Sequence, residues 1–281
     1  MGTVKRDRQK AGRQARLAEA QAAAARRKRT RTGLLLVGLV GLLVIATLWM
    51  GGLGGDDEEP VESVAGDSST STTLADSGVE VTVPPAGAAI DGETPCPAAD
   101  GSSVRTTSFA QPPPTCIDPA LTYTATVTTT HGEFAFELDT AAAPVTANNF
   151  VVLARYHYYD GVAFHRIIPD FMIQTGDATG PTPGQGDPGY TIPDELPAVG
   201  GLEGYPPGAV AMANAGADSG GSQFFVMASS NSVPLDPNYA IFGRVVSGQD
   251  VVDAINQLGD AATDGTPTAE VLIQTVTITE A

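Results

Sequence analysis

Arg166 and Gln174 sit in an otherwise bulky, apolar stretch, Phe164-His165-Arg166-Ile167-Ile168-Pro169-Asp170-Phe171-Met172-Ile173-Gln174. Polar groups in such surroundings are costly unless they have partners. A second block follows about forty residues on, from Met212-Ala213-Asn214-Ala215-Gly216 through Ser222-Gln223-Phe224-Phe225. Positive charge is scarce here. Eleven of the fifteen Lys and Arg lie in the first 31 residues, and only Arg105, Arg155, Arg166 and Arg244 follow. A permanently charged donor in an apolar setting can stabilise charge that develops on a substrate, with no pH-sensitive proton transfer. Each residue also has a plainer reading. Arg166 could be a buried ion-pair partner, Phe171 and Phe225 barrel core, Gln174 and Gln223 partners of backbone groups, and His165 a structural histidine.

Other chemistries find no support. His131, His157 and His165 lack metal-ligand spacing. The serines have no G-x-S-x-G setting, and neither a P-loop nor a dinucleotide fingerprint is present. Catalysis by these residues would need no metal, no cofactor and no covalent intermediate.

The elements that must position these groups are short strands. Phe134, Phe136 and Leu138 alternate with Glu133, Ala135 and Glu137, the period of a half-buried strand, with His131-Gly132 as the hairpin before it. Val271, Ile273, Val276 and Ile278 predict a closing strand. Pro144 opens one helix, with Phe150, Leu153 and Ala154 on its face. A second runs from about Gly248 to Leu258 and stops at Gly259. Residues 178–208, crowded with Gly and Pro, read as a long surface loop. The fold class expected is mainly β: one closed barrel with two helices covering its ends.

Upstream the chain changes character. Residues 1–32 carry eleven basic and two acidic groups, net +9; residues 33–281 carry four basic and thirty acidic, net −26. The first segment reads as a basic, helical cytoplasmic tail that anionic lipid would attract. Gly33–Met50 is eighteen uncharged, mostly apolar residues, extended by Gly51 to Gly54. A bilayer core needs roughly 20 such residues, so 33–54 is expected to be a transmembrane helix; a signal peptide competes, without an Ala-x-Ala site after it. The cation bias places the N-terminus in the cytoplasm and the rest outside, a single-pass protein of the cell membrane. Residues 55–93 read as a disordered acidic Ser/Thr/Gly/Pro linker, 94–119 as a two-cysteine flap and 120–281 as the globular domain. Cys96 and Cys116, the only cysteines, are either a disulfide, as an oxidising compartment would favour, or two free thiols. The acidic domain would repel nucleic acid, which is not expected as a partner.

From Phe164-His165-Arg166-Ile167-Ile168-Pro169 through Gln174-Thr175-Gly176-Asp177, Met212-Ala213-Asn214-Ala215-Gly216, Gly221-Ser222-Gln223-Phe224-Phe225 and Ile241-Phe242-Gly243, residues 120–281 resemble the cyclophilin family. That family comprises peptidyl-prolyl cis–trans isomerases on an eight-stranded antiparallel barrel capped by two helices. The resemblance implies Arg166, Gln174, Phe171 and Phe225 as the catalytic set. It implies Phe171, Met172, Phe225 and Leu235 around a proline ring, and Asn214 offering backbone groups to an extended peptide. Ala213, Ala215 and Gln223 would border a neighbouring groove, and Tyr239 would supply an aromatic wall. The implied partners are proline-containing segments of polypeptides. The anchor, linker and flap resemble those of membrane-bound actinobacterial members, which implies exported or envelope proteins as clients. A proline-peptide docking or holdase module is the alternative.

Three positions depart from the family pattern. Pro234 stands before Leu235-Asp236 where many members carry tryptophan or histidine, which removes a ring and a donor from the rim. Tyr239 replaces a usual histidine, and Thr175 a common glycine.

Overall fold

The computed structural model describes residues 71–73, 80–180 and 182–281. The expected tail (1–32), the expected transmembrane helix (33–54) and most of the expected linker lie outside them. Among the described residues no helix is long and apolar enough to cross a membrane.

Order begins earlier than composition predicts. Strand β1 (Ser71–Thr73) pairs with β2 (Glu80–Thr82), and β3 (Ala88–Ile90) pairs in parallel with β4 (Thr106–Phe109). The described part of the expected linker 55–93 therefore contains three short strands. The small residues there gain backbone partners, such as Ala88 N–H to Arg105 O at 2.9 Å, that composition does not register.

The remaining strands are β5 (Tyr123–Thr129), β6 (Gly132–Leu138), β7 (Arg166–Ile168), β8 (Met172–Thr175), β9 (Ala209–Met212), β10 (Phe224–Met227), β11 (Ile241–Ser247), β12 (Gly259–Asp260), β13 (Thr266–Pro267) and β14 (Ile273–Glu280). Helices are α1 (Pro144–Arg155), a four-residue α2 (Gly201–Gly204) inside the expected loop, and α3 (Gln249–Asn256). Strands β5 and β6 alternate as their sequence predicts. Phe134, Phe136 and Leu138 point into the core, and β5 buries every second residue.

One sheet of eight antiparallel strands runs β14-β5-β6-β11-β9-β10-β8-β7. Its inner face holds Phe136, Phe224 and Phe242, and α1 lays Phe150 among them at ring-centroid distances of 5.3–5.4 Å. Helix α3 buries Val252 and Ile255 in the same core.

The barrel is not closed, a correction to the expected architecture. The end strands β7 and β14 share no ladder. Their neighbouring segments meet only through an Ala163–Leu272 bridge and single backbone bonds, such as Phe164 N–H to Val271 O at 2.9 Å. The physical reason is the β12–β13 hairpin, which takes the free edge of β7. Ile167 N–H donates to Gly265 O at 2.8 Å, so that amide has no capacity for β14.

The flap is held by a Cys96–Cys116 disulfide, with Cα atoms 5.4 Å apart, so the cysteines are not free thiols. Asn148 on α1 receives the Cys116 N–H at 2.7 Å and donates to Pro114 O at 2.9 Å. Phe109 lies edge-on to Tyr156 and Tyr190.

Candidate active site

Strand alternation explains why an arginine and a glutamine interrupt apolar sequence. On β7, β8 and β10 the residues Ile167, Ile173, Phe224 and Val226 belong to the main core. Their neighbours face the other way. Arg166 pairs across the ladder with Gln174, and Gln174 with Phe225. Phe225 in turn pairs with Ala211. This outward row stands on a second apolar cluster of Met172, Tyr205, Ala209, Ala211, Phe225 and Met227, with Phe171, Ala213, Leu235 and Tyr239 packed against it. Phe225 is therefore buried outside the barrel core, which its identity alone did not distinguish.

Above this cluster opens a pocket of about 190 Å³ lined by Arg166, Phe171, Met172, Gln174, Ala213, Asn214, Phe225, Leu235 and Tyr239. Nine of the eleven residues proposed from sequence thus share one cavity. The other two, Ala215 and Gln223, line an adjoining cavity of about 440 Å³ with Gln174, Ala213 and Asn214 common to both. A peptide lying across Asn214 would span the two.

The walls are fixed by packing and hydrogen bonds. Phe225 and Tyr239 meet edge to face at 5.4 Å. Tyr205, fully buried, donates its hydroxyl to Tyr239 O at 2.9 Å and accepts the Tyr239 N–H at 3.0 Å. Asn214 uses its own side chain locally, donating to Asn238 O at 2.7 Å and accepting from Gly216 N–H.

Arg166 is half-buried, its side chain 38% exposed. Its Nε donates to the backbone oxygen of Asp264 at 3.2 Å and its Nη2 to Asp264 Oδ1 at 3.0 Å. Gln174 Nε2 donates to Gln223 Oε1 at 3.1 Å, and Gln223 Nε2 donates to Gly184 O and Gly186 O, each at 3.0 Å. The two glutamines thereby tie the pocket to the loop beside it.

His165 lines neither cavity. Both ring nitrogens are sealed from solvent and lack a partner. Burial pushes its pKa down to about 4, against a smaller opposing pull from Asp177. It is neutral at pH 7.

Sequence reading missed Asp264 and Tyr205. The Asp264-Gly265 dipeptide is a tight-turn signal that marks its own backbone, but nothing local says it meets Arg166, 98 residues away. Pro234 is exposed and contributes nothing to the pocket wall. The flap contributes no residue to either cavity. Among the described residues no cluster of three His, Cys, Asp or Glu could hold a metal ion.

A family model described as cyclophilin type peptidyl-prolyl cis-trans isomerase/CLD matches residues 124–278. Peptidyl-prolyl cis-trans isomerase-like 1 of Gibberella zeae is 41% identical over 153 residues, covering 54% of this chain and 92% of that protein. Peptidyl-prolyl cis-trans isomerase A of Mycobacterium tuberculosis is 40% identical over 179 residues, covering 57% of this chain and 94% of the other. A crystal structure of a cyclophilin-type isomerase from Cryptosporidium parvum aligns at 30% identity and a TM-score of 0.49, covering 56% of this chain and 98% of that one. The same protein was also crystallised in the presence of the dipeptide Ala-Pro, with the same alignment values.

Proposed function

The chain belongs to the cyclophilin-type peptidyl-prolyl cis–trans isomerase family, and on that premise we propose that it isomerises prolyl bonds in exported or envelope proteins from a membrane anchor. The observation that carries the chemistry is the outward row Arg166, Gln174 and Phe225 along one wall of the pocket.

An X-Pro bond crosses a barrier of ~18–20 kcal/mol because amide resonance must be broken. Uncatalysed exchange takes tens to hundreds of seconds. In the proposed mechanism Phe171, Met172, Phe225 and Leu235 hold the proline ring. The Arg166 guanidinium donates to the prolyl nitrogen as it pyramidalises. That bond strengthens only as resonance is lost, so it stabilises the transition state more than bound substrate. Gln174 orients the substrate carbonyl, and Asn214 offers backbone groups to the extended peptide.

Three features support the cellular setting: the apolar run 33–54, the net +9 before it and the Cys96–Cys116 disulfide beyond it. Protease digestion of intact and permeabilised cells tests it. The domain should be cut from outside in intact cells while the basic tail is spared; a domain protected until permeabilisation contradicts the proposal.

The exposed Pro234 rim favours a second reading, a proline-peptide docking or holdase module with incidental isomerase activity. A direct isomerase assay set against client aggregation assays separates the two.

A further inference from the structure

We propose that Asp264 is a positioning residue for Arg166, an inference that rests on Arg166 acting as the donor to substrate. Asp264 contacts the guanidinium twice, its backbone oxygen taking Nε–H and its carboxylate taking Nη2. Both bonds fall on one edge of the planar group. Among the described residues no other hydrogen bond reaches Arg166, so the Nη1 end is left to the pocket it lines. Gln174, directly across the ladder, is engaged by Gln223 instead.

The backbone of Asp264 supports a dedicated role. Its φ is 55°, in the left-handed region that residues with a Cβ occupy at a cost and keep only where the surroundings impose it. Asp is among the side chains that tolerate it. Gly265, at φ 92°, anchors the turn to the strand that carries Arg166, its oxygen accepting the Ile167 N–H at 2.8 Å. A Cβ at Gly265 would lie 2.8 Å from Ile168 Cγ1 and 3.0 Å from Ile167 O, so the close approach demands glycine. The same hairpin that keeps the sheet open thus holds a carboxylate over β7.

Stability does not account for the pair. Asp264 is 85% exposed, and exposed ion pairs contribute little to folding. A long arginine side chain left free would sample many rotamers, and fixing one edge removes most of them.

The test measures kcat and KM separately on the full-length chain by NMR line-shape analysis of a proline peptide. Asp264→Gly accepts the backbone angle, keeps the carbonyl and removes the carboxylate; Asp264→Asn keeps the angle and the Oδ1 acceptor. The expected result for Asp264→Gly is a kcat lowered roughly three- to tenfold, KM within about twofold and an unchanged melting temperature. Asp264→Asn should recover most of the loss. A wild-type kcat in Asp264→Gly, a loss confined to KM, or no recovery in Asp264→Asn overturns the inference. Arg166→Ala is run in parallel. If it turns over normally, the donor role and the positioning role fall together; if it is inactive while Asp264→Gly is normal, only the positioning role falls.

Discussion

Arg166 and Gln174 stand directly opposite each other on β7 and β8 yet make no hydrogen bond to one another. Each is tethered away from the other, Arg166 to Asp264 and Gln174 to Gln223. Both polar groups are therefore held at the wall of a pocket that Phe171, Met172, Phe225 and Leu235 also line with apolar surface. A site that only bound proline would need the apolar surface alone. In the proposed mechanism the fixed donor beside it is what catalysis of amide rotation adds.

Acid should destabilise the domain through His165. Its folded pKa is depressed to about 4 from 6.5, so below pH 6.5 the unfolded chain binds more protons than the folded one. Stability therefore rises with pH across this window and is lost as pH falls from 6.5 towards 4. The full effect is ~3 kcal/mol. Urea midpoints for wild type and His165→Gln at pH 7 and pH 4.5 test this; the pH difference should shrink in the variant, and an equal difference contradicts it.

Reducing Cys96–Cys116 should lower stability without lowering turnover. Closing a loop with a sequence separation of 20 stabilises by ~3 kcal/mol on the chain-entropy model. The flap lines neither cavity, so the groove does not depend on it directly. The check is a thermal melt and an isomerase assay with and without reductant. Loss of activity well below the melting transition would show that the flap acts on the groove.

Cyclosporin-type ligands should bind weakly because Pro234 supplies neither the aromatic ring nor the side-chain donor that many family members carry at that position. Its exposure leaves room for a larger side chain. Calorimetric titration of wild type and Pro234→Trp should show tighter binding by the variant, and nanomolar binding by wild type would refute the expectation.

The candidate site was legible in sequence through the motifs that resemble the cyclophilin family, since pattern alone left Phe171 and Phe225 readable as barrel core; a strand's period of two accounts for the arrangement found. Arg166, Gln174 and Phe225 share one face for that reason, and the intervening core residues the other. Long-range closure was not legible. Nothing near β14 or β7 shows that the Gly259–Pro267 hairpin would occupy the β7 edge, or that Asp264 would meet Arg166. The strands between 71 and 90 were hidden for a different reason, since each is three residues long, too short to show a period.

The central claim is that Arg166 supplies the transition-state bond. Turnover of a proline test peptide by Arg166→Ala, alongside its circular dichroism, tests it most directly. The expected result is a fold unchanged from wild type and a kcat/KM lower by about 10²–10³, the loss that follows removal of one such donor. A folded Arg166→Ala with wild-type kcat/KM would contradict it.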